Sequence, residues 1–256
     1  LPEKFVMPLI LGAPRGTKAD ELLLSAKMDI NGECLTLKCR TFSLDDKINN
    51  ALKTSHYKQR PITDKYLATI SADNLLTVAC NAKGTDFVEL LRSNESLRTM
   101  LIGINTAIDI DKMLRGVDGD LIISLPSLGD NLNLTLLADA SDISWMQDVD
   151  YWKKSCPAGT QIESCGRDSY RLKGTDFDTC FGVKDGKLLY VAPSTESVAN
   201  IGSKASHPLS PAVVELVKGS RFAAVLSLSS ATRQKPELSV VSSFLPNLKT
   251  IVLKIE

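Results

Sequence analysis

Asn31-Gly32, set between two runs of alternating apolar residues, constrains the fold of this chain more than any other feature. It is the strongest two-residue hairpin signal, because the tight turns that match strand twist need positive φ at their centre. Residues 22–30 and 33–41 flank it. Pairing across the turn sets Met28 opposite Leu35, Ala26 opposite Leu37 and Leu24 opposite Cys39, all on one face, since strand side chains alternate. Lys27 with Thr36 and Ser25 with Lys38 fall on the other face, so one face is expected to meet a core and the other water. A helix follows at once. Ser43-Leu-Asp-Asp46 is a capping-box-like start in which the Ser43 hydroxyl bonds the free amides of the first turn, and Ile48, Ala51 and Leu52 form the apolar stripe.

The same order returns along the chain. Residues 66–72 and 75–82 flank Asp73-Asn74, with a helix from Thr85-Asp86 that turns Phe87, Leu90 and Leu91 inward. Residues 121–125 and 132–138 form a third hairpin, followed by a helix from Ser141-Asp142 that carries Trp145, Val149 and Trp152. Residues 178–183 and 187–191 form a fourth around Asp185-Gly186, with a helix capped at Ser194. Ser210-Pro211 opens a further helix and Gly219 closes it. Strands are then expected at 222–228, 238–242 and 250–255.

Strand-strand-helix order of this kind predicts an α+β protein: an antiparallel sheet of repeated β-hairpin–helix units with the helices packed on one side. A degenerate duplication would divide the chain into 1–115 and 116–256, or the units form one continuous domain. Segment 156–173, polar and broken by Gly and Pro, departs from the rhythm and reads as an irregular loop.

Charge narrows the partners. Thirty basic residues balance thirty acidic ones among 256. With no basic block, the chain lacks the phosphate-neutralising surface of nucleic-acid binders. No stretch reaches the roughly 20 apolar residues that cross a bilayer; the longest, 97–110, is broken by Arg98, Thr99, Asn105 and Asp109. The sequence opens at Leu1 with no charged-then-apolar leader, which reads as a mature or trimmed form.

Candidate chemistry is sparse. None of the six cysteines falls in a C-x-x-C pair, and only His56 and His207 could join them, so no metal site is expected. Cys39 and Cys80 lie in apolar strands and read as small core residues. Cys156 and Cys165 flank a short loop and could close a disulfide if the chain is exported; two unpaired thiols are the alternative. Neither a phosphate-binding glycine loop nor a G-x-S-x-G elbow is present. Ser55-His-Tyr-Lys58 has S-x-x-K spacing but lacks its companion motifs. Asp109, Asp118 and Asp142 stand where elements start or stop and read as caps and turns. Trp145 and Trp152, seven apart with Val149 between, read as core, whereas Tyr151 faces outward and is the candidate ligand-binding residue. No catalytic residue and no cofactor can be named.

The run Met113-Leu-Arg-Gly-Val-Asp-Gly-Asp-Leu-Ile-Ile-Ser-Leu125, followed by Leu134-Thr-Leu-Leu-Ala-Asp-Ala140 and a Trp-bearing helix, resembles a family of exported Bacteroidetes proteins, largely lipoproteins, known as domain of unknown function 4836. The resemblance implies an envelope location, in the periplasm or at the cell surface, with lipid anchoring in a longer form. It supplies no catalytic residues. These readings predict a non-enzymatic, exported binding or scaffold protein of the cell envelope, with an envelope protein or a glycan as partner. The competing expectation is a glycan-active hydrolase whose carboxylate pair is assembled by the fold. A third is self-association through exposed strand edges.

Overall fold

The computed structural model describes residues 13–14, 17–58, 60–93, 107–127, 133–174, 178–238 and 245–255. Eleven strands among them form one sheet: β1 Leu23–Asn31, β2 Cys34–Phe42, β3 Leu76–Lys83, β4 Val117–Leu125, β5 Thr135–Ala140, β6 Gln161–Gly166, β7 Ser169–Lys173, β8 Asp178–Lys184, β9 Leu188–Ala192, β10 Phe222–Ser227 and β11 Thr250–Ile255. Their order is β1-β2-β11-β10-β3-β4-β5-β9-β8-β7-β6. Every pair is antiparallel except β2 with β11. The described helices are α1 Asp46–Lys58, α2 Gly84–Ser93, α3 Ile110–Arg115, α4 Val149–Ser155, α5 Thr195–Ala199, α6 Pro211–Val217 and α7 Leu228–Gln234. The α+β class and the antiparallel sheet are those expected from the sequence.

The layering differs from the one-sided expectation. Leu121 and Ile122 are neighbours on β4, point to opposite faces, and are both buried. On the first face Leu121, Ala138 and Leu189 meet Trp145, Val149 and Trp152. On the second, Ala79, Ile122, Leu137 and Val252 meet Ile62, Tyr66 and Leu67 from segment 60–70, together with Val213 and Val217 of α6. A sheet covered twice needs apolar runs rather than alternation in its central strands, which is what Ile251-Val-Leu253 supplies on β11.

Several local expectations shift. The first hairpin turns on Gly32 and Glu33, with Gly32 at φ +57. Met28 therefore faces Leu37 and Lys27 faces Lys38, two residues away from the sequence pairing. The faces are unchanged because the side-chain period is two. β1 is nonetheless exposed along its whole length, Met28 at 65% and Ile30 at 51%, because it is an edge strand beyond the covering layers. Asp45, not Ser43, caps α1 by accepting from the Ile48 amide at 2.9 Å; the Ser43 hydroxyl donates to the Glu21 carbonyl at 2.7 Å.

The second hairpin does not form, since 66–70 is a buried turn of 3₁₀ helix and β3 pairs with β10 and β4 instead. Segment 156–173 is largely a hairpin, β6 with β7, turning at Asp168 with φ +54. The third and fourth hairpins stand, β4 with β5 and β8 with β9. Residues 128–132 and 239–244, where Leu132 and most of the 238–242 strand were expected, lie outside the described residues; Leu238 itself ends a 3₁₀ turn.

Candidate functional site

α3 and α4 border a cleft that also takes in Arg92 of α2. The Asp109 carboxylate caps α3 by accepting from the Lys112 amide at 2.9 Å. On α4 successive side chains diverge by about 100°, so Trp152 enters the core while its neighbour Tyr151 stands 70% exposed. Tyr151, Trp152 and Ser155 form one wall; Arg92, Asp111 and Arg115 form the other, around about 800 Å³.

The charges of this cleft are unevenly satisfied. Asp111, only 7% exposed, is ion-paired with Arg92 of α2, while its Oδ1 is buried without a hydrogen-bond partner. Burying a carboxylate demands such a counter-charge. Lys112 pairs with Asp148, which holds its ammonium above the usual lysine range. Arg115 borders the cleft, exposed, with no ion pair to a described residue. An aromatic face beside polar and cationic donors suits a polyhydroxylated ligand: the ring stacks on sugar C–H surfaces and the donors read hydroxyl or carboxylate oxygens.

The second concentration of acids has a different job. Asp120, 1% exposed, accepts from the Thr63 amide at 3.0 and 3.2 Å, from the Thr63 hydroxyl, and from the Asn81 side-chain amide at 2.8 Å. Asp139, on the neighbouring strand, accepts from the Tyr66 hydroxyl and pairs with Lys65. Burial, followed by the Asp139 hydrogen bond, pushes the Tyr66 phenol up to about 12. Asp118 pairs with Arg60 at 2.6 Å. The three carboxylates fasten segment 60–66 across the second face. A glycosidase pair must reach its substrate, and Asp120 is closed off from solvent.

The remaining sequence candidates are scattered. Asp142 accepts from the Ser144 amide at 2.8 Å, and that bond holds its carboxyl below the usual carboxylate range. His207 meets Asp73 at 2.8 Å on the surface. Ser55 to Lys58 form the last turn of α1, so His56 lies in a helix. Among the described residues no group of three or more His, Cys, Asp or Glu side chains is gathered as a metal would require. None of the described helices is long and apolar enough to cross a membrane.

Cys156 follows α4 as its C-cap and Cys165 lies on β6; both are free thiols. Cys165 is exposed, its Sγ 3.2 Å from the Ser169 hydroxyl. Burial drives Cys80 up to about 12 and Cys180 up to about 11. Because thiolates rather than thiols react, iodoacetamide at neutral pH should label Cys165 in the folded protein and reach Cys80 and Cys180 only after denaturation. Peptide mass mapping of the labelled sites checks this. A native Cys165 that resists labelling until a reductant is added would instead mark the bridge to Cys156.

Tyr151 is the one cleft residue singled out by sequence reasoning as a ligand contact. Arg92, Asp111 and Arg115 were missed in that role. Arg92 and Arg115 reach the cleft from elements joined by a segment of the chain, and no local spacing marks them.

No family model matches this chain, and no curated protein matches it. Among solved structures, crystal form III of TP0453 aligns with 63% of this chain and 62% of that one, at 10% identity and a TM-score of 0.41. Crystal form IV aligns with 68% and 66%, at 10% identity and 0.41. Crystal form I aligns with 65% and 63%, at 10% identity and 0.38. The chain thus spans 62% to 66% of the length of these chains, and at such TM-scores neither fold nor activity is carried over.

Proposed function

We propose that this chain is a non-catalytic binding protein of the cell envelope that holds a glycan in the cleft between α3 and α4. The observation that carries the reading is Tyr151: a ring 70% exposed at the edge of a polar cleft of about 800 Å³, which Arg115, without an ion pair to a described residue, also lines. An exposed ring at a cleft offers an apolar face on which the C–H surface of a sugar can stack. Arg115 favours sugars that carry a carboxylate, because guanidinium and carboxylate pair through two parallel hydrogen bonds. Non-catalytic binding accords with the state of the two cleft acids. Asp109 is engaged as a helix cap, and Asp111, only 7% exposed, is ion-paired with Arg92, so neither carboxylate is open to a scissile bond. The envelope placement draws on the resemblance to exported Bacteroidetes proteins.

Trp152 lines the cleft and reports on it. Titrating the chain with uronate-containing and neutral oligosaccharides should change tryptophan fluorescence saturably, with uronates bound more tightly. Tyr151→Ala should weaken that binding roughly tenfold, the loss of one stacked ring, while leaving the unfolding transition unchanged. Release of reducing ends from the same oligosaccharides would overturn the non-catalytic reading in favour of the hydrolase. Absence of any saturable change would remove the glycan, and recovery in the cytoplasmic fraction would remove the envelope.

A further inference from the structure

β1 closes one end of the sheet, and no described strand pairs with its outer edge. Natural proteins blunt such an edge by shortening it, bulging it or placing proline in it. β1 runs nine residues in unbroken register with β2 and holds no proline. Asn31 and Cys34 flank the two-residue turn, so that pair exchanges both of its backbone hydrogen bonds, as does every second residue back along β1. The amides and carbonyls of Leu24, Ala26, Met28 and Ile30 therefore point outward, away from β2. Their side chains share one face, on which Leu24, Met28 and Ile30 are exposed.

The other face of β1 carries one cation and one anion. Lys27 and Asp29 stand two apart, so they share that face, and neither is ion-paired to a described residue. A lysine alone guards an edge against pairing. With an aspartate two residues on, the strand becomes complementary to its own antiparallel copy. Consider a second β1 laid against the first about a two-fold axis at Met28. Met28 meets its own equivalent, and Ala26 meets Ile30 of the second copy in both directions. Each of these pairs exchanges two backbone hydrogen bonds through the groups left pointing outward. Lys27 then falls opposite Asp29 of the second copy, and Asp29 opposite Lys27. Those are the non-hydrogen-bonded positions, where facing side chains come closest. An axis moved one residue either way sets Lys27 against Lys27 or Asp29 against Asp29, and like charges directly opposite destabilise a sheet. Charge thus selects one register.

We propose that β1 joins a second copy of this chain by antiparallel edge pairing centred on Met28, giving a closed two-fold dimer with one continuous sheet. The contact is isologous, since each copy presents the same strand. It leaves no β1 edge open. Ala26, Met28 and Ile30 of both copies form one apolar band beside Leu35 and Leu37 of β2, which lie on the same face. A strand this short covers less than the roughly 800 Å² per partner of a standard interface, so the association is reversible and depends on concentration. None of these residues lines the cleft between α3 and α4, so the dimer and glycan binding fail independently.

Sedimentation equilibrium from micromolar to near-millimolar concentration should show the unaltered chain passing reversibly from monomer to dimer. Lys27→Asp opposes like charges at both symmetric positions and should weaken the dimer roughly tenfold or more, as should Asp29→Lys. Mixed in equal amounts, the two variants oppose unlike charges at both positions and should pair with each other as the unaltered chain pairs with itself. Lys27→Asp/Asp29→Lys in one chain should likewise dimerise. Recovery in the mixture also shows that each variant folds. Lys204→Asp, an exposed charge reversal elsewhere, should change nothing. A chain that stays monomeric at every concentration overturns the proposal and leaves the edge to a strand of another protein. A dimer that both single variants leave intact places the contact elsewhere and overturns it too. So does a mixture that stays monomeric although both variants are folded by circular dichroism. Growth beyond the dimer would mean that β1 pairs head to tail with β6, the opposite edge of the sheet, and not with itself.

Discussion

Asp120→Ala is expected to lower the unfolding free energy by about 3–5 kcal/mol, the range for removing one partner from a buried charged network. The carboxylate accepts from three donors: the Thr63 amide, the Thr63 hydroxyl and the Asn81 side chain. Alanine leaves the amide and the Asn81 nitrogen buried with nothing to bond, and each orphan costs about 1–3 kcal/mol. Asn81 is already short of one partner, its Oδ1 being buried and unpaired. The loss should spread beyond the point of substitution. Segment 60–70 carries Ile62, Tyr66 and Leu67 onto the second face, and Asp120 fixes where it crosses β4. Asp120→Asn keeps one acceptor oxygen but presents an NH₂ group to the donors, so its cost should fall between zero and that of alanine. Urea unfolding followed by circular dichroism checks both variants. A loss under about 1 kcal/mol for alanine would mean that water replaces the carboxylate and that the segment is held by its apolar contacts alone.

This network also explains which parts of the fold were legible in the sequence. Asp109, Asp118 and Asp142 were read as caps and turns, and that held for Asp109 and Asp142, whose partners are amides two or three residues along, whereas Asp118 pairs with the distant Arg60. Asp120 reaches Thr63 across 57 residues, and no local pattern encodes a contact of that separation. Hairpins were legible for the same reason that caps were: a turn dipeptide and period-two alternation are both local. The β6–β7 hairpin escaped because it stands at the sheet edge. Only Ile162 is buried on β6, so the strand has no alternation to read.

The false hairpin at 66–72 came from apolar content without the right period. Tyr66, Leu67 and Ile70 are the buried residues there, spaced as on a helical turn rather than at alternate positions. The cleft follows the same rule. Tyr151 could be found from the geometry of its own helix, because Trp152 had to face inward. Arg92 could not, since what makes it part of the site is Asp111, nineteen residues away.

Trp145→Ala is the second large effect, expected at about 3–5 kcal/mol. Trp145 is 1% exposed, its ring 6.1 Å from that of Trp152 and nearly parallel to it, and 6.2 Å from Phe181. Alanine removes this contact area and leaves a void beneath α4, which the surrounding strands are too rigid to close. Trp152 also lines the cleft, so the void should loosen the wall that presents Tyr151 and weaken oligosaccharide binding along with stability. The Trp145→Phe variant separates packing from polarity. The indole N–H of Trp145 is buried without a partner, so the native residue carries a desolvation cost of about 1–3 kcal/mol that phenylalanine lacks. That gain offsets much of the lost ring area, and Trp145→Phe should unfold within about 1.5 kcal/mol of the unaltered chain. Paired denaturation curves decide the matter. If phenylalanine costs as much as alanine, the indole nitrogen is bonded in solution, and an ordered water must reach it through the wall of the cleft.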